Sequence, residues 1–238
     1  MPSFRPPVWF QPVMAGATLR DRLVACAGAL AGLAVIAGVL SAVGHGSALP
    51  LLVAPIGASA VLAFAVPASP LAQPWSIVGG NSLSALMGVA AVALVPSFPL
   101  AAGIAVAAAL LLMSLTRCLH PPGGAVALSA VIGGATLASG DYIVTVAVNS
   151  AALVASAWLF HRISGHAYPH RANDRKARRE LQAEGLQPID IEYALKSLGE
   201  AFDVAPADLE LLLARAEQHA AKRRADEAAR RPALRRAA

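Results

Sequence analysis

Leu110-Leu111-Leu112-Met113-Ser114-Leu115-Thr116-Arg117-Cys118-Leu119-His120-Pro121-Pro122-Gly123-Gly124 joins the end of an apolar run to a cation, an imidazole and a block of helix-breaking residues. The run reaches back to Leu100 and another starts at Gly123, so the stretch reads as two hydrophobic helices meeting at a sharp break. Outward from it, Arg117 and Asp141 are the only formally charged side chains between Leu23 and Phe160. About 20 apolar residues span a bilayer, and a charge inside one costs on the order of 2.5 to 3.5 kcal/mol, so such residues usually serve a purpose. The chain is expected to be an integral membrane protein whose working site lies near residue 120.

Composition agrees: 57% of residues are hydrophobic, 14% are charged and mean hydropathy is +0.60, outside the usual soluble range. The charges are segregated. Of the 19 Lys and Arg, 15 follow residue 160, as do 12 of the 14 Asp and Glu, so the net charge of +5 belongs mostly to a tail. Arg162, Arg171, Arg175, Lys176, Arg178 and Arg179 follow the last apolar segment, where they suit anionic lipid headgroups. No stacking aromatics accompany them, which disfavours nucleic acid as a partner. Cys26 and Cys118 show no CxxC spacing and read as reduced packing residues. Arg20 and Arg22 precede an apolar run too long for a cleaved signal core.

Six spans are expected, at roughly 23 to 43, 48 to 66, 77 to 95, 100 to 116, 123 to 138 and 142 to 160. Gly44-His45-Gly46, the 67 to 74 stretch, Pro96-Ser97-Phe98-Pro99, His120-Pro121-Pro122 and Ser139-Gly140-Asp141 interrupt them. The fold class is all-α, a polytopic transmembrane helical bundle of about six spans with a short helical cytoplasmic tail. The expected divisions are an N-terminal cytoplasmic segment over 1–22, a transmembrane domain over 23–160, a basic juxtamembrane linker over 161–185 and a helical tail over 186–238. Basic residues at both ends of the body put both termini in the cytoplasm by the positive-inside rule. The expected location is a bacterial inner membrane, with the breaks near 70 and 120 on the cytoplasmic side.

Those two breaks resemble each other, since Gln73-Pro74 leads to Gly79-Gly80-Asn81-Ser82 and His120-Pro121-Pro122 leads to Gly123-Gly124. A gap is needed to align them, and a repeated broken-helix hairpin is one reading of the match. A helix that starts after Pro and Gly leaves its first amides unpaired and carries about half a positive charge there, which attracts anions. Gly79, Gly80, Gly123 and Gly124 would let a ligand approach the backbone, Asn81 and Ser82 would add neutral donors, and Arg117 and His120 charged or titratable ones. The expected substrate is a small inorganic anion. Arg117 could equally snorkel to headgroups.

The segments Gly57-Ala58-Ser59-Ala60-Val61-Leu62, Pro67-Ala68-Ser69-Pro70-Leu71-Ala72-Gln73-Pro74, Gly79-Gly80 and Thr116-Arg117-Cys118-Leu119-His120-Pro121-Pro122-Gly123-Gly124-Ala125 together resemble the HPP family of integral membrane proteins. The likeness extends to His161-Arg162 and Gly165-His166-Ala167-Tyr168-Pro169-His170 and covers roughly residues 20 to 170. The resemblance implies a polytopic membrane domain and, by analogy with plant members, nitrite transport. The family is often described with four spans and commonly shows His where Asn81 stands. The tail from 188 to 231 is similar to a segment that precedes paired CBS nucleotide-sensing modules in longer relatives, and no adenine-nucleotide regulation in cis is expected.

Other features have plainer readings. Gly28 and Gly32 form a GxxxG for close helix contact within the body or between protomers. His161, His166 and His170 lack an acidic or cysteine partner at ligand spacing, which favours a wet interfacial role over a metal site. Asp190 and Pro206 suit the first turns of two tail helices, and Leu209, Leu212, Leu213 and Ala216 make an apolar stripe. No GxSxG, Walker pattern or paired carboxylates occur in the body, so enzyme chemistry, a cofactor or a metal is not expected. The alternative to anion transport is a membrane scaffold or sensor that recruits a soluble partner through its tail. A carrier of cations or neutral solutes would need membrane acceptor groups, and few are available. An Ala/Gly-rich body of this size is expected to form a homo-oligomer.

Overall fold

The computed structural model describes residues 18–43, 54–170, 187–198 and 203–236. Six helices build the body: α1 (Leu19–Val43), α2 (Pro55–Ala65), α3 (Pro74–Leu94), α4 (Phe98–Leu115), α5 (Pro122–Leu137) and α6 (Gly140–Ser164). Two more form the tail, α7 (Pro188–Leu198) and α8 (Pro206–Arg236), both beginning at a proline because that residue needs no amide partner at a helix start. Among the described residues no strand occurs. The linker residues Arg171, Arg175, Lys176, Arg178 and Arg179, and the break at 44–46, lie outside the described residues.

The six expected apolar segments are thus six helices, but they are not equal. α1, α3, α4 and α6 are long and apolar enough to cross a membrane, whereas α2 and α5 have only 11 and 16 residues. At 1.5 Å per residue these two reach about 16 and 24 Å, short of a 30 Å hydrocarbon layer. α5 is shorter still as a straight rod. Gly134 adopts φ 55° and ψ −149°, a conformation open to glycine, and breaks the helical path there.

Contacts fix the arrangement. Trp75 Nε1, at the start of α3, donates to the Thr116 carbonyl at the end of α4 at 3.1 Å, and a nitrogen of His161, late in α6, donates to the Ala63 carbonyl late in α2 at 2.9 Å. One end of the bundle therefore gathers the starts of α1, α3 and α5 with the ends of α2, α4 and α6. Arg20, Arg22, Arg117 and Arg162 all sit at this basic end, and Asp141 lies exposed in the first turn of α6 at the other.

Side-chain size explains how the helices meet. α3 is the central element, packed on α4, α5 and α6, and it approaches α5 through glycines: a Cβ on Gly88 would stand 2.5 Å from the Ala127 carbonyl oxygen. On the other side Gly28 and Gly32 of α1 admit the Phe64 ring, which meets Phe160 edge to face at 5.5 Å. The GxxxG contact thus lies within the body. In the tail, Ile191 and Ala214 are buried with Leu195, Leu209 and Leu213 around them. The expected stripe is corrected at Leu212 and Ala216, both exposed, because the face turned to α7 runs through Leu209, Leu213 and Ala214.

Candidate functional site

The break after α4 is built by a left-handed residue. Cys118 N donates to the Met113 carbonyl at 2.9 Å and Arg117 N to the Ser114 carbonyl at 3.3 Å, the paired bonds that close a helix end when the residue between adopts positive φ. Arg117 takes that place with φ 55°, where glycine is usual, and the strain is of the order of 1 kcal/mol. The turn sorts the next residues. Arg117 and Leu119 face outward, while Cys118 and His120 turn back into the bundle and are fully buried.

His120 is the hub of a hydrogen-bonded seam through the bundle. Its Nδ1 lies 2.8 Å from the Leu71 carbonyl oxygen and its Nε2 2.8 Å from Ser59 Oγ. A carbonyl only accepts, so Nδ1 carries the proton and Nε2 of the neutral ring accepts from the Ser59 hydroxyl. Asn81 Nδ2 donates to Ser59 Oγ and to Ser150 Oγ, each at 3.1 Å. The seam joins the 67–74 loop, α2, α3, α6 and the turn before α5. Ser59, Asn81, His120 and Ser150 each have no exposed surface. Asn81 Oδ1 and Ser82 Oγ are buried atoms without a hydrogen-bond partner.

Beside the seam lies a pocket of about 350 Å³ lined by Pro70, Leu71, Ser76, Met113, Ser114, Arg117 and Leu119. Arg117 is its one charged residue. Ser76 belongs to the first turn of α3, so the positive end of that helix dipole falls at the pocket that Arg117 also lines. Leu71 joins pocket and seam: the residue lines the first and its carbonyl receives the His120 proton.

The glycines do something other than expected. α3 starts at Pro74, not after Gly79-Gly80, so those two amides lie inside the helix and bond back along it. At the start of α5 the prolines offer no N–H, and the amides of Gly123 and Gly124 donate to the His120 and Pro121 carbonyls at 2.8 and 3.0 Å. The open amides read from the sequence are therefore absent, and the two breaks do not repeat in register, because one glycine pair is in the second helical turn and the other in the first. Close approach is what Gly80 and Gly123 provide. A Cβ on Gly80 would stand 2.7 Å from both the Cys118 carbonyl oxygen and His120 Cβ, and one on Gly123 would stand 2.5 Å from Ser84 Oγ. Gly79 lies against the Trp75 ring, and Gly124 has only Val106 nearby, at 3.8 Å.

Of the expected site residues, His120, Gly80, Gly123 and Asn81 come together around the seam and Arg117 lines the adjoining pocket, whereas Gly79, Gly124 and Ser82 belong to neither. The sequence reading missed Ser59 and Ser150. The available signal for Ser59 was its place in the Gly57-Ala58-Ser59-Ala60-Val61-Leu62 segment that carries the resemblance.

The tail closes over the same loop. Tyr168 Oη donates to the Ala72 carbonyl at 3.0 Å, and burial pushes that phenol well above its ordinary range. Gln73 Nε2 donates to the Pro67 and Ser69 carbonyls while its Oε1 accepts from His170 N. Ser69 Oγ donates to the Asp203 carboxylate at 2.8 Å, and His170 Nε2 pairs with Asp208 at 2.9 Å. The expectation of wet interfacial histidines is corrected for His161, which is buried and bonded to Ala63 and Ser164, and for His170, whose acidic partner lies 38 residues away. Arg162 stacks on Trp158 at 4.3 Å. Among the described residues no group of three or more His, Cys, Asp or Glu could hold a metal.

The model of the HPP transmembrane region matches residues 14–169, which spans the whole bundle, both breaks and the seam. The chain belongs to the HPP family. Two transmembrane proteins of Dictyostelium discoideum are similar to this HPP protein: one is 44% identical over 108 residues, covering 44% of this chain and 38% of the relative, and the other 42% identical over 106 residues, covering 43% and 34%. The matched part is thus little more than a third of either curated relative. No solved structure matches this HPP chain.

Proposed function

We propose that this HPP protein carries a small monovalent anion, nitrite or a nitrate-like ion, across the inner membrane, with both termini and the basic end in the cytoplasm. The observation that supports it best is the Arg117 pocket: an arginine sharing a lining with the first turn of α3, no carboxylate in that lining, and a buried polar seam joined to it through Leu71. Polar groups buried in a membrane bundle are costly and mark solute pathways more often than they stabilise. Arg117 supplies the attraction and His120 lines the way inward. The basic residues clustered at one end support the orientation. The test is nitrite uptake by proteoliposomes holding the purified full-length chain. Uptake above empty vesicles that falls at least ten-fold in a folded Ser59→Ala variant is expected, and uptake equal to empty vesicles overturns the proposal.

A second reading has its own observation. Asp203 and Asp208 hold the tail against Ser69 and His170 on the loop beside the pocket, an arrangement suited to a sensor whose soluble partner competes for the tail. Deletion of residues 187–238 that removes a cellular phenotype and leaves nitrite permeability unchanged favours that role.

A further inference from the structure

The direction of donation along the seam decides what it can receive. Both protons of the Asn81 amide are used, on Ser59 and Ser150; the Ser59 hydroxyl faces His120, and His120 gives its proton to Leu71. The atom left open at the centre of this chain is Asn81 Oδ1, an acceptor on a residue with no exposed surface. A bare anion brought there meets a lone pair. Among the described residues of the body, Arg20, Arg22, Arg117 and Arg162 are all exposed at one end, and His120, which reaches Asn81 through Ser59, points its one donor at Leu71 and accepts at Nε2. Asn81 lies seven residues into α3, about 10 Å from that end at 1.5 Å per residue. A neutral molecule carrying an O–H group satisfies the open acceptor, and an anion does not.

We infer that nitrite crosses the seam as its neutral conjugate acid, nitrous acid, whose hydroxyl donates to Asn81 Oδ1 after the anion has been collected at Arg117; the anion of a strong acid such as nitrate does not take this route. This rests on the transport reading above and names the species that passes. The proton balance is simple: the anion takes one proton from hydronium in the pocket, one O–H bond forms and water is left, and on the far side the acid returns that proton to water. One proton therefore accompanies each anion, and transport is electroneutral. Asn81 then acts as a selectivity residue for hydroxyl donors.

The experiment uses full-length protein in liposomes with an internal pH dye, nitrite as the probe, and a potassium diffusion potential of either sign set by valinomycin, with the leak of empty vesicles subtracted. The expected result is a protein-dependent uptake rate that does not respond to potential and an internal acidification matching nitrite entry one for one. An Asn81→Leu variant that elutes and melts as a folded protein is expected to lose at least ten-fold of that rate. Uptake driven by potential, toward the roughly 50-fold gradient that 100 mV imposes on a single charge, without acidification, overturns this inference and leaves anion transport standing. No protein-dependent uptake overturns both.

Discussion

The tightest test of the geometry is Gly80→Ala. The new Cβ would stand 2.7 Å from the Cys118 carbonyl oxygen and 2.7 Å from His120 Cβ, where ordinary contact begins at 3.4 Å. Both neighbours belong to the break, so its backbone must retreat by about 0.7 Å and the Met113 sulfur, 3.3 Å away, cannot absorb the change by rotating. Forcing a methyl into a filled interior costs typically 1 to 3 kcal/mol. For a chain of this size each kcal/mol lowers a melting midpoint by roughly 2 to 4 °C, so the variant should melt about 2 to 12 °C below the parent in detergent. Gly103→Ala is the control, because nothing lies within 4 Å of its added Cβ and alanine favours the helix by up to about 1 kcal/mol. The assay is a thermal melt followed by size-exclusion chromatography. A Gly80→Ala protein that melts with Gly103→Ala refutes the claim that His120 is seated against α3.

Two further perturbations probe other parts. Phe64→Ala removes the ring that fills the notch of Gly28 and Gly32 and meets Phe160; a loss of about 3 to 5 kcal/mol is expected, read as a lower melting midpoint than any glycine variant gives. Asp203→Ala breaks the carboxylate contact to Ser69, a partly buried interaction of about 1 kcal/mol, so hydrogen exchange at Leu71 and Ala72 should quicken by about five-fold while α3 is unchanged.

Much of the architecture was legible in the sequence because a bilayer imposes a composition. Four helices long enough to cross, and two shorter ones, fall where hydropathy and the Pro/Gly breaks placed them, within a few residues at most boundaries. The break that carries Arg117 and His120 was legible too, since charge and imidazole are conspicuous in so apolar a body. The glycines were misread because one property, a missing side chain, serves two ends: approach of a ligand and approach of a helix. Only the folded chain reveals that Gly80 and Gly123 face Cys118, His120 and Ser84. Ser59 and Ser150 stayed hidden for a different reason. A serine in an Ala-rich helix looks like filler, and its partners here lie 61 and 69 residues away in the chain. The same distance effect hid the His170–Asp208 pair.

Nitrite uptake by Arg117→Glu, at matched protein incorporation and melting midpoint, tests the central claim most directly. Arg117 is exposed and its pocket holds no other charge, so the change should spare the fold while replacing attraction by repulsion. Initial uptake is expected to fall at least ten-fold relative to the parent, a change worth about 1.4 kcal/mol or more. Uptake equal to the parent's would mean that Arg117 draws in no anion.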